Sequence, residues 1–120
     1  MTVLLLSFFG LLYFVNTKPK NIKPDLNYCH GVVLDENLKP IINVDVSNIS
    51  KHHSTFTNIN GYFQLQLDST TAPEPLIFNK KDYQIDTVNV VDIAPRGDNY
   101  FYRFMYSKPD TIVLRRLKSQ

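Results

Sequence analysis

The sequence predicts an all-β domain, and three observations carry that prediction. Apolar residues alternate with polar or smaller ones between Gly31 and Leu67, which is the period of half-buried strands. The chain contains 8 Phe and 7 Tyr but no Trp, and its many Val, Ile and Thr residues also favour strands. Turn-forming residues separate the alternating stretches. Without its first twenty or so residues, the chain has the length of one domain with one core.

Three strands are predicted within this stretch, at about residues 28–34, 44–49 and 62–67, with a short strand at 55–57 leading into the last. The polar segment 35–40 ends in a proline, which has no N–H for a ladder, so the chain is expected to turn there. Asn58-Ile59-Asn60-Gly61 accepts positive φ at low cost and predicts a tight hairpin between residues 55–57 and 62–64.

Further strands are predicted at 76–78 and 111–114. Between Ile85 and Val91 the alternation changes phase, which indicates a bulge or a strand exposed on neither face.

The residues at these positions resemble a known family. The motifs are Gly31-x-Val33-x-Asp35, Pro40-Ile41, Val44-x-Val46, Thr55-x-Thr57-Asn58-x-Asn60-Gly61-x-Phe63-x-Leu65, Leu76-x-Phe78, Asp82-Tyr83, Val88-x-Val90 and Thr111-Ile112-Val113-Leu114. Their order resembles the carboxypeptidase regulatory-like domain, a small transthyretin-like β-sandwich, over about residues 30–117. Two positions depart from the family pattern: Asn43 stands where a small residue is more usual, and Asp82-Tyr83 replaces the common Gly-Tyr.

The resemblance implies a single seven-stranded antiparallel Greek-key sandwich over residues 29–117. Eight residues are expected in its core: Val32, Leu34, Val44, Val46, Phe63, Leu65, Phe78 and Leu114. The family is mostly an accessory module without an active site, so the resemblance implies a non-enzymatic role.

An apolar run at residues 3–15 precedes the domain. As a helix it would be roughly 20 Å long at about 1.5 Å per residue, which is short of the roughly 30 Å hydrocarbon core. A signal peptide in residues 1–15 is therefore favoured over a membrane segment. Residues 16–28, polar and rich in lysine, form a predicted linker. If the segment were not cleaved, its lysine-rich flank would favour the cytoplasmic side.

Cys29 is the single cysteine, so no intrachain disulfide is possible. The residues before it lack the small side chains of a lipid-attachment signal, and a buried or edge-strand thiol is expected instead.

An aromatic strip lies near the carboxyl end of the chain. In a strand, Tyr100, Tyr102, Phe104 and Tyr106 would line one face. One interpretation is that this face completes the core. The other is that Tyr100, Tyr102 and Tyr106, with Arg96 and Arg103, form a binding surface for a protein or a sugar.

No catalytic motif, metal site or cofactor site is predicted. Neighbouring His52 and His53 would point to opposite faces of a strand, and no carboxylate or cysteine stands at ligand spacing. Hydroxyisourate hydrolases share the transthyretin-like fold, but they end in a Tyr-Arg-Gly-Ser motif that this chain lacks. The net charge of +2 is too small to indicate nucleic-acid binding.

The sequence therefore predicts a non-enzymatic accessory or interaction module of the cell envelope, with a protein partner. The alternative is a carbohydrate- or ligand-binding sandwich that uses residues 100–106. Export to the periplasm or outer envelope is expected, the alternative being an uncleaved anchor that contacts the membrane.

Overall fold

A computed structural model of the protein describes residues 26–67, 73–93 and 100–118, with the backbone alone at Ile93. The predicted segment 1–15 and most of the predicted linker lie outside these residues. The described part is all-β and contains no α-helix. Accordingly, none of its elements is an apolar helix long enough to cross a membrane.

Nine strands form three sheets in the described part of the chain. The three-stranded sheet has the order β4-β1-β9, the four-stranded sheet β3-β2-β5-β6, and the third sheet pairs β7 with β8. The strands are β1 (Tyr28–Leu34), β2 (Asp45–Asn48), β3 (Ser54–Phe56), β4 (Tyr62–Gln66), β5 (Leu76–Asn79), β6 (Asp86–Val88), β7 (Val91–Ile93), β8 (Tyr100–Tyr102) and β9 (Asp110–Val113).

The expectation that every pair is antiparallel is wrong at one place. β1 and β9 are parallel, with Gly31 opposite Asp110 and Leu34 opposite Val113. β9 follows β8, which belongs to a different sheet, so no tight hairpin fixes its direction. The remaining ladders, including that of β1 with β4, are antiparallel.

The predicted turn at 58–61 is present, but the predicted hairpin is not. Gly61 has φ +75°, and its N–H donates to the Asn58 carbonyl at 2.8 Å. β3, however, pairs with β2, whereas β4 pairs with β1. The buried Thr57 hydroxyl accepts from the Val44 N–H at 2.9 Å and donates to the Ile41 carbonyl at 2.6 Å. The turn therefore carries the chain from one sheet to the other.

The predicted core is confirmed at six positions and wrong at two. Val44, Val46, Phe63, Leu65, Phe78 and Leu114 are buried. Val32 and Leu34 are only half-buried, because β1 turns its other face inward and buries Cys29, Gly31 and Val33. Both parities of β1 carry apolar residues, so alternation alone could not select the inner face.

Three phenylalanine rings join the sheets at the centre of the core. Phe63 of β4 and Phe78 of β5 lie 5.5 Å apart between ring centroids at an interplanar angle of 73°. Phe104, from the segment after β8, lies 5.9 Å from each of them. Edge-to-face and tilted contacts of this kind are favourable beyond the area they bury. The inner faces of the two larger sheets therefore meet at these rings.

The segment 114–117 closes one corner between the two larger sheets. Leu114 N–H donates to the Leu34 carbonyl of β1, and Leu117 N–H donates to the Asp82 carbonyl. The Arg116 guanidinium carbon lies 5.1 Å from the centroid of the Tyr83 ring. Asp82 has φ +73°, the conformation that glycine adopts most easily.

The change of phase between Ile85 and Val91 marks a change of sheet. β6 ends at Val88 in the four-stranded sheet, and β7 begins at Val91 in the two-stranded one. Val90 is buried between them, and its carbonyl accepts from the Arg103 N–H at 2.7 Å.

Gly31→Ala is expected to destabilise the domain. A Cβ there would lie 2.6 Å from the Asp110 carbonyl oxygen, 3.0 Å from Phe63 Cε1 and 3.1 Å from Phe104 Cδ1. Overpacking of this kind costs about 1–3 kcal/mol. Urea unfolding measures it, with Ser54→Thr as a control that adds a methyl group at an exposed position of β3. Equal stability of both variants would contradict the close approach at Gly31.

Because of Cys29, the stability of the domain is expected to fall as the pH rises in the alkaline range. Burial raises the pKa of its thiol from 9.0 to about 12. The folded state therefore favours the protonated thiol, and its contribution is complete below pH 9 and is lost as the pH rises towards 12. We expect the stability of the wild type relative to Cys29→Ala to fall by roughly 1.4 kcal/mol per pH unit in this range. Denaturation curves at each pH measure this difference, and a difference that stays constant across the range would refute the prediction.

Candidate functional site

The predicted aromatic strip is not continuous. β8 contains only Tyr100–Tyr102, and the chain leaves the strand at Arg103. Phe104 has φ +69° and is fully buried, so its ring points into the core instead of continuing the face of Tyr100 and Tyr102. The Asp110 carboxylate accepts a short hydrogen bond from the Phe104 N–H, which stabilises this uncommon backbone conformation.

Tyr100 and Tyr102 share a face, as predicted, but their environments differ. Tyr102 lies opposite Val91, and both side chains pack against the core. Tyr100 is 40% exposed and Phe101, on the other face of β8, is 48% exposed. The exposed surface of the β7–β8 hairpin therefore presents one tyrosine and one phenylalanine.

Of the two arginines assigned to the strip, the structure describes one. Arg103 is exposed, and its guanidinium carbon lies 5.4 Å from the Phe104 ring centroid. It directly follows β8, next to the exposed aromatic residues. Arg96 lies outside the described residues.

The backbone of Tyr106 lies next to β1. Its carbonyl accepts from His30 Nε2 at 2.7 Å. His30 Nδ1 lies 2.8 Å from the Tyr62 hydroxyl, which donates to it in the tautomer that the carbonyl requires. His30 is 6% exposed and both of its ring nitrogens are bonded. A histidine held in this way is structural, and neither nitrogen is free for a metal or for proton transfer.

Cys29, His52 and His53 lie in the described part of the chain, and their environments differ. The Cys29 thiol is fully buried, and its pKa is raised by that burial, so it is a poor nucleophile. His52 is exposed and His53 is half-buried in the connection before β3. Among the residues that the structure describes, no group of three or more His, Cys, Asp and Glu side chains is placed to hold a metal ion.

A polar cavity that the sequence did not indicate lies on the outer face of the four-stranded sheet. Its volume is about 140 Å³, and its lining consists of Asp45, Ser47, Lys51, Ser54, Ile77 and Asn79. Asp45 Oδ1 is buried and has no hydrogen-bond partner, the one such side-chain atom in the described ranges. Alternation places Asp45 outside the core, but sequence gives no sign that its carboxylate is shielded from water.

A second depression lies between the edges of β6 and β9. Its volume is about 240 Å³, and it is lined by Gln84–Asp86 from one side and Val113–Arg115 from the other. The Gln84 N–H donates to the Arg115 carbonyl at 2.8 Å.

Comparison of the chain with protein-family models and with curated proteins gave no match. The family therefore remains the prediction made from the motifs.

Tyr102→Ala is expected to destabilise the fold, whereas Tyr100→Ala is not. Loss of a half-buried ring that packs on the core costs about 1–3 kcal/mol, and an exposed residue outside the core changes stability by less than about 0.5 kcal/mol. Thermal unfolding of the two variants measures the difference. An equal loss in both would show that Tyr100 also serves the core.

Proposed function

We propose that this protein is a non-enzymatic interaction module of the cell envelope with a carboxypeptidase regulatory-like fold. The two larger sheets would be the layers of a seven-stranded Greek-key sandwich. Their strand count of three plus four and the contact between Phe63 and Phe78 support this arrangement. Asp82 supports the family, because its positive φ suits the position where the family commonly has glycine.

The exposed hairpin β7–β8 is the observation that carries the proposed role. Tyr100 and Phe101 expose aromatic surface next to the cationic Arg103, and aromatic residues and arginine dominate the energetics of protein interfaces. β8 pairs with β7 on one edge and with no described strand on the other. An open edge offers backbone donors and acceptors to an added strand. We infer that a protein partner docks on β8.

Protein docking is favoured over the alternative of carbohydrate binding by the residue 100–106 strip. That alternative uses Tyr100, Tyr102 and Tyr106 as one platform. Tyr102 packs on the core, and Tyr106 lies beside His30 on another segment. Tyr102 is therefore partly used in core packing, which leaves the exposed Tyr100 ring with Arg103 as the available part of that platform.

Export followed by release of residues 1–15 is the proposed route to the envelope, with an uncleaved anchor as the alternative. A third route would be anchoring by a lipid attached to Cys29, and the position of this residue opposes it. Its side chain is 0% exposed inside β1, so a lipid on its sulfur would require β1 to leave the core.

Capture of the partner from the envelope of the source organism tests the proposed role. The bait is the full chain with a carboxyl-terminal tag, and the variant is Phe101→Thr, which removes the exposed ring but keeps a residue that favours strands. We expect the captured partner to fall at least about tenfold, as for an interface residue worth roughly 1.4 kcal/mol or more.

Ile59→Thr is the matched control, because Ile59 is 75% exposed in the 58–61 turn, which lies outside the hairpin. Equal capture by wild type and Phe101→Thr would contradict docking on β8. Recovery of the untruncated bait from the cytoplasm would contradict export.

A further inference from the structure

Three segments lie together at one end of the two larger sheets, which we call the turn end: residues 35–43, 80–85 and 114–118. The Arg116 N–H donates to the Glu36 carboxylate at 3.1 Å, and the Leu117 N–H donates to the Asp82 carbonyl at 2.9 Å. The antiparallel ladder of β2 with β5 also brings the start of β2 next to the end of β5. The turn end is therefore one surface built from three parts of the chain.

The turn end exposes aliphatic side chains to solvent. Four of them are between 45% and 68% exposed: Leu38, Ile42, Ile85 and Leu117. Leu38 also has φ +63°, a left-handed conformation that residues with a Cβ disfavour. Its turn is nevertheless fixed, because Asp35 Oδ1 accepts from the backbone N–H groups of Asn37 and Lys39 at 2.8 and 2.9 Å. The fold thus holds an apolar side chain in water on a backbone that does not favour it.

Positive charge is concentrated at the same end. The three segments contain six Lys and Arg residues and three Asp and Glu residues, whereas the remaining described residues contain three and five. The basic residues of the turn end are Lys39, Lys80, Lys81, Arg115, Arg116 and Lys118. Two of its acids, Asp35 and Glu36, accept hydrogen bonds from backbone N–H groups. The turn end is therefore a cationic surface with exposed aliphatic side chains.

We propose that the turn end docks on the surface of a bilayer that contains anionic lipids. Binding of a protein to a membrane surface grows with the apolar area inserted at the headgroup boundary. It also grows with the attraction between basic side chains and anionic headgroups. The turn end supplies both contributions. The proposal uses no residue of the β7–β8 hairpin, so it holds or fails independently of docking on β8.

Other classes of partner account for only part of this surface. A nucleic acid would use the basic residues, but its phosphates offer no apolar contact to leucine and isoleucine. At protein interfaces the energetically important residues are mainly aromatic residues and arginine, and leucine is under-represented. The β7–β8 hairpin exposes aromatic rings of that kind, whereas the exposed large apolar residues of the turn end are all aliphatic. A bilayer fits the combination of aliphatic side chains and positive charge.

Quenching of tryptophan fluorescence by lipids with brominated acyl chains tests the proposal. The chain contains no Trp, so Ile42→Trp places a single probe at the turn end. Ile49→Trp is the matched control, because Ile49 is 52% exposed directly after β2, whereas Ile42 precedes the same strand. The full chain of each variant is reconstituted with vesicles of phosphatidylcholine, with and without phosphatidylglycerol. Residues 1–15 are present in both variants, so the difference between them reports which end of the domain meets the bilayer.

On vesicles with phosphatidylglycerol, we expect quenching to be at least about threefold greater in Ile42→Trp than in Ile49→Trp. On phosphatidylcholine alone, the quenching in Ile42→Trp is expected to fall, because the attraction to anionic headgroups is lost. Equal quenching of the two variants, or quenching of Ile42→Trp that does not depend on phosphatidylglycerol, would overturn the proposal. Absence of quenching in Ile42→Trp would also overturn it and would favour a protein partner for the turn end.

Removal of charge provides a second test in the Ile42→Trp chain. Lys81→Gln with Arg115→Gln neutralises two exposed residues of the turn end, and Lys51→Gln with Lys108→Gln removes the same charge from exposed positions outside it. We expect the first pair to lower the quenching to about its value on phosphatidylcholine alone, and the second pair to leave it unchanged. Melting temperatures verify that both variants are folded. An equal loss in both pairs would show an effect of net charge alone and contradict the proposal.

Discussion

The close approach of Phe63, Phe104 and the Asp110 backbone over Gly31 is the constraint on which the core depends. Gly31 has no side chain at the point where β1 pairs with both β4 and β9. The rings of Phe63 and Phe104 and the backbone of β9 can therefore approach it closely. Phe63 then contacts Phe78 of the other sheet. A single missing side chain thereby permits both the parallel pairing of β1 with β9 and the contact between sheets.

Because Phe104 enters the core, the aromatic residues near it have two roles, core packing and exposed surface. Its positive φ, held by the Asp110 carboxylate, turns the chain away from the line of β8. Tyr102 packs against the core, whereas Tyr100 and Phe101 are exposed on the hairpin. The same turn that completes the core thus produces the surface on which we propose that a partner docks.

The buried polar side chains differ in whether the chain itself supplies their hydrogen-bond partners. His30 and Thr57 have partners for their buried polar atoms within the chain, and Asn48 is bonded to Glu74 and His53. Asp45 differs from these, because one of its oxygens is buried without a partner. Internal bonding of this kind serves stability, whereas the unpartnered oxygen of Asp45 opposes folding.

Local pattern determined the all-β class, the turn at 58–61 and six of the eight core residues, because alternation and turn chemistry are properties of neighbouring residues. Tertiary structure decided the rest. It selected the Cys29, Gly31 and Val33 face of β1, where both faces were apolar. It also placed β3 and β4 in different sheets and turned Phe104 inward. These outcomes depend on which strands meet across the core, and contacts between residues distant in sequence leave no periodic signal along the chain.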